Sequence, residues 1–128
     1  MHEYRCKIKK VVDGDTVYLD QRVRLYGIDT PESRTRDKVE KIYGKAAGRY
    51  LKAMLGKECP MRTPKDANGK FGRILGEFVV YDADCDAWRS VNQLMIENHL
   101  AVAYHGQSKD DIEEEHLKNR ELLEPTFL

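Results

Sequence analysis

The chain has 128 residues and a mass of 14.9 kDa, with 22 basic and 22 acidic side chains and therefore no net formal charge. This length supports one hydrophobic core, so we expect a single domain over residues 1–128. The sequence has no apolar run of about 18 residues, which excludes a membrane-spanning helix, and neutrality alone favours neither a nucleic-acid nor a membrane partner.

The charges are unevenly distributed along the chain. Residues 1–80 have 18 Lys and Arg against 11 Asp and Glu, whereas residues 81–128 have 4 against 11. The first part can attract an anion, or the two parts can be differently charged solvated surfaces.

The N-terminal residues and the cysteines bear on the cellular compartment. The start, MHEYRCKIKK, has no apolar signal segment, so we expect a cytoplasmic protein, unless a presequence was removed before Met1. A monomer is the default expectation for its oligomeric state. Cys6, Cys59 and Cys85 are far apart and odd in number, which favours reduced, buried cysteines.

The first third of the chain has the pattern of three strands. Residues 4–12 alternate loosely and end at the turn signal DGD, TVYLD continues as a second strand, and QRVRLYGI as a third. We expect these strands to form a meander.

Helices and further strands follow. A helix is predicted from Tyr43 to Leu55 with Gly56 as its stop, then a short strand in CPMRTP, a polar loop in KDANGKFG and a final strand in RILGEFVVY. Ser90 caps a helix in VNQLMIENHL, and a charged helix runs from about Lys109 to Leu123. This order fits an α+β, mainly β fold: a five-stranded OB-type barrel with three helices packed outside.

Asp13 and Asp15 flank a glycine in DGDT. Their spacing points both side chains to one face of an extended backbone, where paired carboxylates favour a hard divalent cation. Asp-Gly is also a common hairpin turn, so both readings stay open.

The stretch RLYGIDTPE places Arg24, Asp29 and Glu32 within nine residues. Arg24 and Asp29 are an odd number of residues apart, so they can act together only if the strand breaks, and Gly27 is the expected place. Pro31 ends the strand and projects Glu32 from a stiffened turn. A polar strand end is the alternative.

Arg73 in KFGR supplies a second guanidinium at the start of the last predicted strand. Arginine binds phosphate well because its planar fork donates two parallel hydrogen bonds. A single arginine at a strand end is more commonly a surface residue.

Taken together, these segments resemble the staphylococcal nuclease (thermonuclease) family. The similar segments are VVDGDTV, RLYGIDTPE, VEKIYGKAA, GKFGR and VNQLMIENHLAVAY. The resemblance implies an OB-fold nuclease that requires Ca²⁺ and cleaves DNA and RNA, single strands preferred, with little sequence specificity. It also implies that the 5′-oxygen leaves, so that the products carry 3′-phosphates.

The resemblance also implies roles for individual residues. Asp15 and Asp29 match side-chain ligands of the calcium, the Thr30 carbonyl a backbone ligand, and Asp13 a carboxylate that reaches the metal through water. Glu32 matches the residue that orients or deprotonates the attacking water, and Arg24 and Arg73 match the guanidiniums on the scissile phosphate.

Substrate contacts are expected from Lys70, Phe71 and Tyr104. Phe71 stands where the family often has a tyrosine, so one hydroxyl contact is lost, and Tyr104 can instead be a half-buried aromatic residue. A second tyrosine of the family is missing after Tyr104, and His105 or Gln107 can take its place.

Two other metal sites are excluded by spacing, and one other function stays open. DADCDA lacks the Gly and Glu of an EF-hand, and the four histidines lack zinc spacing. The alternative function is a catalytically inactive OB-type module that binds single-stranded nucleic acid or a protein; such modules typically lack one of the acidic or arginine positions present here.

Overall fold

The computed structural model describes residues 6–63 and 74–128. Within them the chain forms short strands and three α-helices, so the α+β, mainly β class is confirmed. The strands are β1 (Lys7–Asp13), β2 (Thr16–Asp20), β3 (Val23–Leu25), β4 (Ile28–Asp29), β5 (Met61–Arg62), β6 (Ile74–Asp82), β7 (Ala87–Ser90) and β8 (Val102–Ala103). The helices are α1 (Lys38–Leu55), α2 (Val91–Glu97) and α3 (Lys109–Leu122), followed by a 3₁₀ helix (Pro125–Phe127).

Strands β1 and β2 form a separate antiparallel hairpin. The predicted DGD turn is confirmed, since Asp13 pairs with Thr16 across it. One face of the hairpin is apolar and exposed; it consists of Ile8, Val11, Val17 and Leu19. The hairpin therefore retains an apolar face that is open to solvent.

Strand β6 organises the largest sheet. Its first three residues pair in parallel with β3, the next two antiparallel with β5, and the last four antiparallel with β7. The predicted meander was wrong for β3, which pairs with β6 and not with β2. The predicted final strand was also wrong, because β7 and β8 follow it. The strand pairs of residues 6–63 and 74–128 form three separate sheets and not one closed barrel.

Side-chain caps set the starts of the three helices. Helix α1 begins at Lys38, earlier than predicted, because the Asp37 side chain accepts the backbone N–H groups of Val39 and Glu40. Ser90 caps α2 as predicted, and Ser108 caps α3. Helix α1 stops at Gly56, where φ is 58°.

The hydrophobic core lies where the helices pack on the strands. It contains Ile28 of β4, Ala46 and Ala47 of α1, Val91 and Met95 of α2, Leu100, Ala101 and, after α3, Leu123. Burying each of the larger side chains contributes about 1.5–3 kcal/mol. Since Ile28 belongs to this core, its neighbour Asp29 is placed on a rigid support.

The structure also bears on the cysteines and on the possibility of a membrane-spanning helix. Cys6, Cys59 and Cys85 form no disulfide bond with one another, but Cys6 and Cys85 are exposed and Cys59 is half-buried, so the prediction of burial was wrong. In the described part of the chain, no helix is both long and apolar enough to cross a membrane.

Candidate active site

A turn at Gly27 brings Arg24 and Asp29 together. Gly27 has a φ of 76°, which breaks the strand at the predicted place. The Arg24 guanidinium donates to the Leu25 carbonyl at 3.1 Å and to the Ile28 carbonyl at 2.9 Å. These bonds place its Nη2 3.7 Å from the Asp29 Oδ1, with both side chains about one-third exposed.

The same turn is fixed from the core side by Asn92. This side chain, 2% exposed, donates its Nδ2 to the carbonyls of Tyr26 at 2.9 Å and Gly76 at 3.1 Å. The Tyr104 N–H donates to the Gly27 carbonyl at 2.8 Å. Because each carbonyl before and within the turn has a donor, the turn is held in one conformation.

Glu32 is positioned by its backbone rather than by its side chain. It is exposed, and α1 lies directly against it, since a Cβ on Gly44 would be 2.4 Å from the Glu32 carbonyl oxygen. The Glu32 N–H also points at the Glu40 carboxylate, at 3.5 Å. The absence of a side chain at Gly44 thus permits the approach that places Glu32.

Asp29 and Glu32 both line a cleft of about 500 Å³, which we call the Asp29 cleft. Arg24 lies beside it through its contact with Asp29. The walls of the cleft come from β4 and the start of α1, from the loop after β8, and from α3. They include the acids Asp29, Glu32, Asp37, Glu40 and Glu113, the cations Lys109 and Arg120, and the residues Thr30, Tyr104, Gln107, Ile112, His116 and Leu117. The carboxylates outnumber the cationic groups in this cleft.

His116 of α3 was not predicted as a site residue. Its Nε2 lies 2.8 Å from Asp29 Oδ2, and its side chain is 12% exposed. The two residues are 87 positions apart, and the surrounding sequence of α3 is mostly charged. Such a segment is typical of a solvated helix, so no local pattern indicated this contact.

The predicted calcium ligands are not brought together. Asp29 and Thr30 line the cleft, but Asp13 and Asp15 lie exposed at the turn of the separate β1–β2 hairpin. Over residues 6–63 and 74–128, no three His, Cys, Asp or Glu side chains are grouped so as to hold a metal ion. Oxygen donors suit calcium, but as arranged these residues do not fit a complete site.

The predicted substrate residues are placed only in part. Lys70, Phe71 and Arg73 lie outside the described residues. Tyr104 lines the Asp29 cleft and is 45% exposed. Gln107 supports its loop instead of facing a ligand freely, since it accepts the His105 N–H at 2.8 Å and donates to the Ala103 carbonyl at 2.6 Å.

Comparison with protein families agrees with this geometry. The model of a family described as "Staphylococcal nuclease homologue" matches residues 22–123, which include β3, β4 and all three helices. The chain belongs to the family of staphylococcal nuclease homologues. The first residues of the match, 22–32, include the Gly27 turn that brings Arg24 to Asp29, and they also include Glu32.

Individual relatives of this staphylococcal nuclease homologue are similar over parts of their length. Endonuclease YhcR of Bacillus subtilis (strain 168) is 28% identical over 115 residues, which cover 80% of this chain and 9% of that protein. The thermonuclease of Staphylococcus intermedius is 40% identical over 77 residues, 53% of this chain and 44% of the relative. The thermonuclease of Staphylococcus hyicus is 31% identical over 80 residues, which cover 58% of this chain and 47% of that relative. The chain thus spans less than half the length of each relative.

Proposed function

We propose that this protein is a nuclease that hydrolyses phosphodiester bonds of DNA and RNA with little sequence specificity. The observation that carries the proposal is that Asp29 and Glu32 line one cleft and that Arg24 lies 3.7 Å from Asp29, in a chain of this family. The names of its relatives, endonuclease and thermonuclease, support the same reaction class.

Arg24 binds the scissile phosphate in this proposal. Two of its N–H groups are already used on backbone carbonyls, which fixes the plane of the guanidinium and leaves the remaining donors for a phosphate. A guanidinium held in advance stabilises the charge that develops on the phosphoryl oxygens without reorganising during the reaction. Arg73 acts as the second guanidinium.

Glu32 orients or deprotonates the attacking water. Its side chain is exposed in the cleft while its backbone is held against α1, so the carboxylate can meet a water without competing for a protein partner. The 5′-oxygen leaves, and the products carry 3′-phosphates. Tyr104, Lys70 and Phe71 contact the substrate, with single strands preferred.

Calcium dependence is part of the proposal. Carboxylates outnumber cations on the cleft wall, so a polyanion is repelled unless a cation is bound there. Asp29 and the Thr30 carbonyl supply oxygen donors of the kind that calcium prefers. Asp13 and Asp15 would complete the set only if the hairpin lay closer to the cleft than it does here. The proposed fold is a five-stranded OB-type barrel that acts as a monomer.

The test is release of acid-soluble nucleotides from single-stranded DNA, with and without millimolar calcium. We expect calcium-dependent release by the parent and a loss of about 10²–10⁴-fold in Glu32→Gln. Glu113→Gln is the matched control, because it neutralises another carboxylate of the same cleft. Enzymatic end-labelling of the products distinguishes 3′- from 5′-phosphates.

Each outcome bears on the proposal. Equal release by Glu32→Gln and the parent removes Glu32 from the mechanism. DNA binding without release by the parent contradicts the nuclease and favours the non-catalytic binding module. Nucleotide release that persists in the presence of a calcium chelator contradicts the proposed requirement for calcium.

A further inference from the structure

Helix α3 reaches the Asp29 carboxylate through one side chain, His116. The Nε2 of His116 is 2.8 Å from Oδ2, while Arg24 faces Oδ1 from the other side at 3.7 Å. The two oxygens of Asp29 are therefore flanked by donors from different elements. A carboxylate contacted at both oxygens is restricted in its rotation about the terminal bond.

The hydrogen of this contact can be assigned from chemistry. An ionised carboxylate only accepts hydrogen bonds, so the Nε2 of His116 must carry the hydrogen and donate it to Asp29. The other nitrogen, Nδ1, is buried and has no hydrogen-bond partner among the residues the structure describes. Nε2 is thus the ring nitrogen through which His116 makes its polar contact here.

A histidine is a poor choice if this position only fills space. The side chain is 12% exposed, and a buried nitrogen without a partner costs free energy that a leucine of similar size does not incur. What the imidazole provides, and leucine cannot, is the hydrogen bond to Asp29.

We propose that His116 is a positioning residue for the Asp29 carboxylate, so that α3 forms part of the active site. The proposal rests on the proposed nuclease function, because Asp29 is a site residue only there. His116 acts through Asp29 and does not touch the substrate.

Three variants separate positioning from packing. His116→Leu keeps the volume and removes the donor, whereas His116→Gln keeps an N–H donor that reaches Asp29. Asn119→Ala is the control, because Asn119 donates to the Ala101 carbonyl at 3.1 Å and so holds the same helix without touching Asp29. We measure kcat and KM on single-stranded DNA and the melting temperature of each.

In His116→Leu we expect kcat to fall about 10–100-fold with an unchanged or higher melting temperature, since a small displacement of a site group is costly. We expect His116→Gln to recover most of the loss. Asn119→Ala should lower the melting temperature and keep the parental kcat. Parental kcat in His116→Leu, or an equal loss in Asn119→Ala, overturns the proposal.

A second measurement does not depend on activity. Nitrogen-15 NMR of the imidazole should show the hydrogen on Nε2, and a neutral ring with its hydrogen on Nδ1 overturns the proposal. If the parent itself fails to cleave DNA, the nuclease function fails and the spectrum still decides the contact. If Glu32→Gln is inactive and His116→Leu is not, only the role of His116 fails.

Discussion

Substitution of Gly44 by alanine tests whether the contact between α1 and Glu32 matters for catalysis. A Cβ at Gly44 would lie 2.4 Å from the carbonyl oxygen of Glu32, 2.5 Å from its carbonyl carbon and 2.7 Å from the Ser33 nitrogen. All three are backbone atoms, so no side chain can rotate away. The helix and the Glu32 segment must separate by roughly 1 Å to reach normal contact distances.

The expected effects on stability and on activity differ in size. Overpacking costs about 1–3 kcal/mol, and alanine recovers about 1 kcal/mol over glycine inside a helix, so the free energy of unfolding falls by at most about 2 kcal/mol. A displacement of about 1 Å at a catalytic group lowers turnover about 10²-fold. Gly44→Ala should therefore fold but lose most of its activity.

Gly48→Ala is the matched control for Gly44→Ala. Gly48 lies in the same helix and is exposed, with nothing within 4 Å of an added Cβ. We expect this variant to gain about 0.5–1 kcal/mol and to keep the parental kcat. The assays are urea denaturation and nucleotide release from single-stranded DNA. Parental turnover in Gly44→Ala would refute the reasoning, as would an equal loss in Gly48→Ala.

Three further predictions address other parts of the fold. Asn92→Leu should lower the free energy of unfolding by about 2–4 kcal/mol in urea, because the Tyr26 carbonyl loses its donor and the Phe78 N–H loses its acceptor; a loss below about 1 kcal/mol contradicts this. Burial raises the pKa of Tyr50 above its ordinary value of 10.0, so the folded state holds this proton more tightly than the unfolded chain. That contribution to stability is complete below pH 10.0 and is lost as the pH rises through the folded pKa. The melting temperature should therefore fall less steeply with rising alkaline pH in Tyr50→Phe than in the parent. Equal slopes of melting temperature against pH in the two proteins would argue against this. Calcium should slow amide exchange in the Lys7–Asp20 hairpin of the parent but not of Asp29→Asn, and equal protection in both would contradict a shared site.

The local sequence predicted where helices and strands end better than it predicted which strands pair with each other. The break at Gly27, the cap at Ser90 and the stop at Gly56 depend on a few adjacent residues, and the structure has all three. The start of α1 was placed too late, although Val39 already has helical spacing to Ile42 and Tyr43; the Asp37 cap sets the true start.

Strand pairing could not be read in the same way. An alternating pattern predicts a strand but not the strand beside it, so the β3–β6 parallel pair was missed. Its two members are separated by β4, α1 and β5, and adjacent strands such as β1 and β2 are the simpler expectation.

The candidate site illustrates both limits. Arg24 and Asp29 meet because of a glycine between them, so the sequence could predict where the strand must break if they act together. Asn92 contacts the Tyr26 carbonyl and His116 contacts Asp29, each from a helix distant in sequence. The sequence around Asn92 resembles an ordinary apolar helix, and the sequence around His116 resembles a charged helix. A side chain's effect on a turn or a carboxylate depends on which acceptor it reaches after packing, and that is a property of the tertiary structure. The break at Gly27 was therefore predictable, and the contacts that Asn92 and His116 make near it were not.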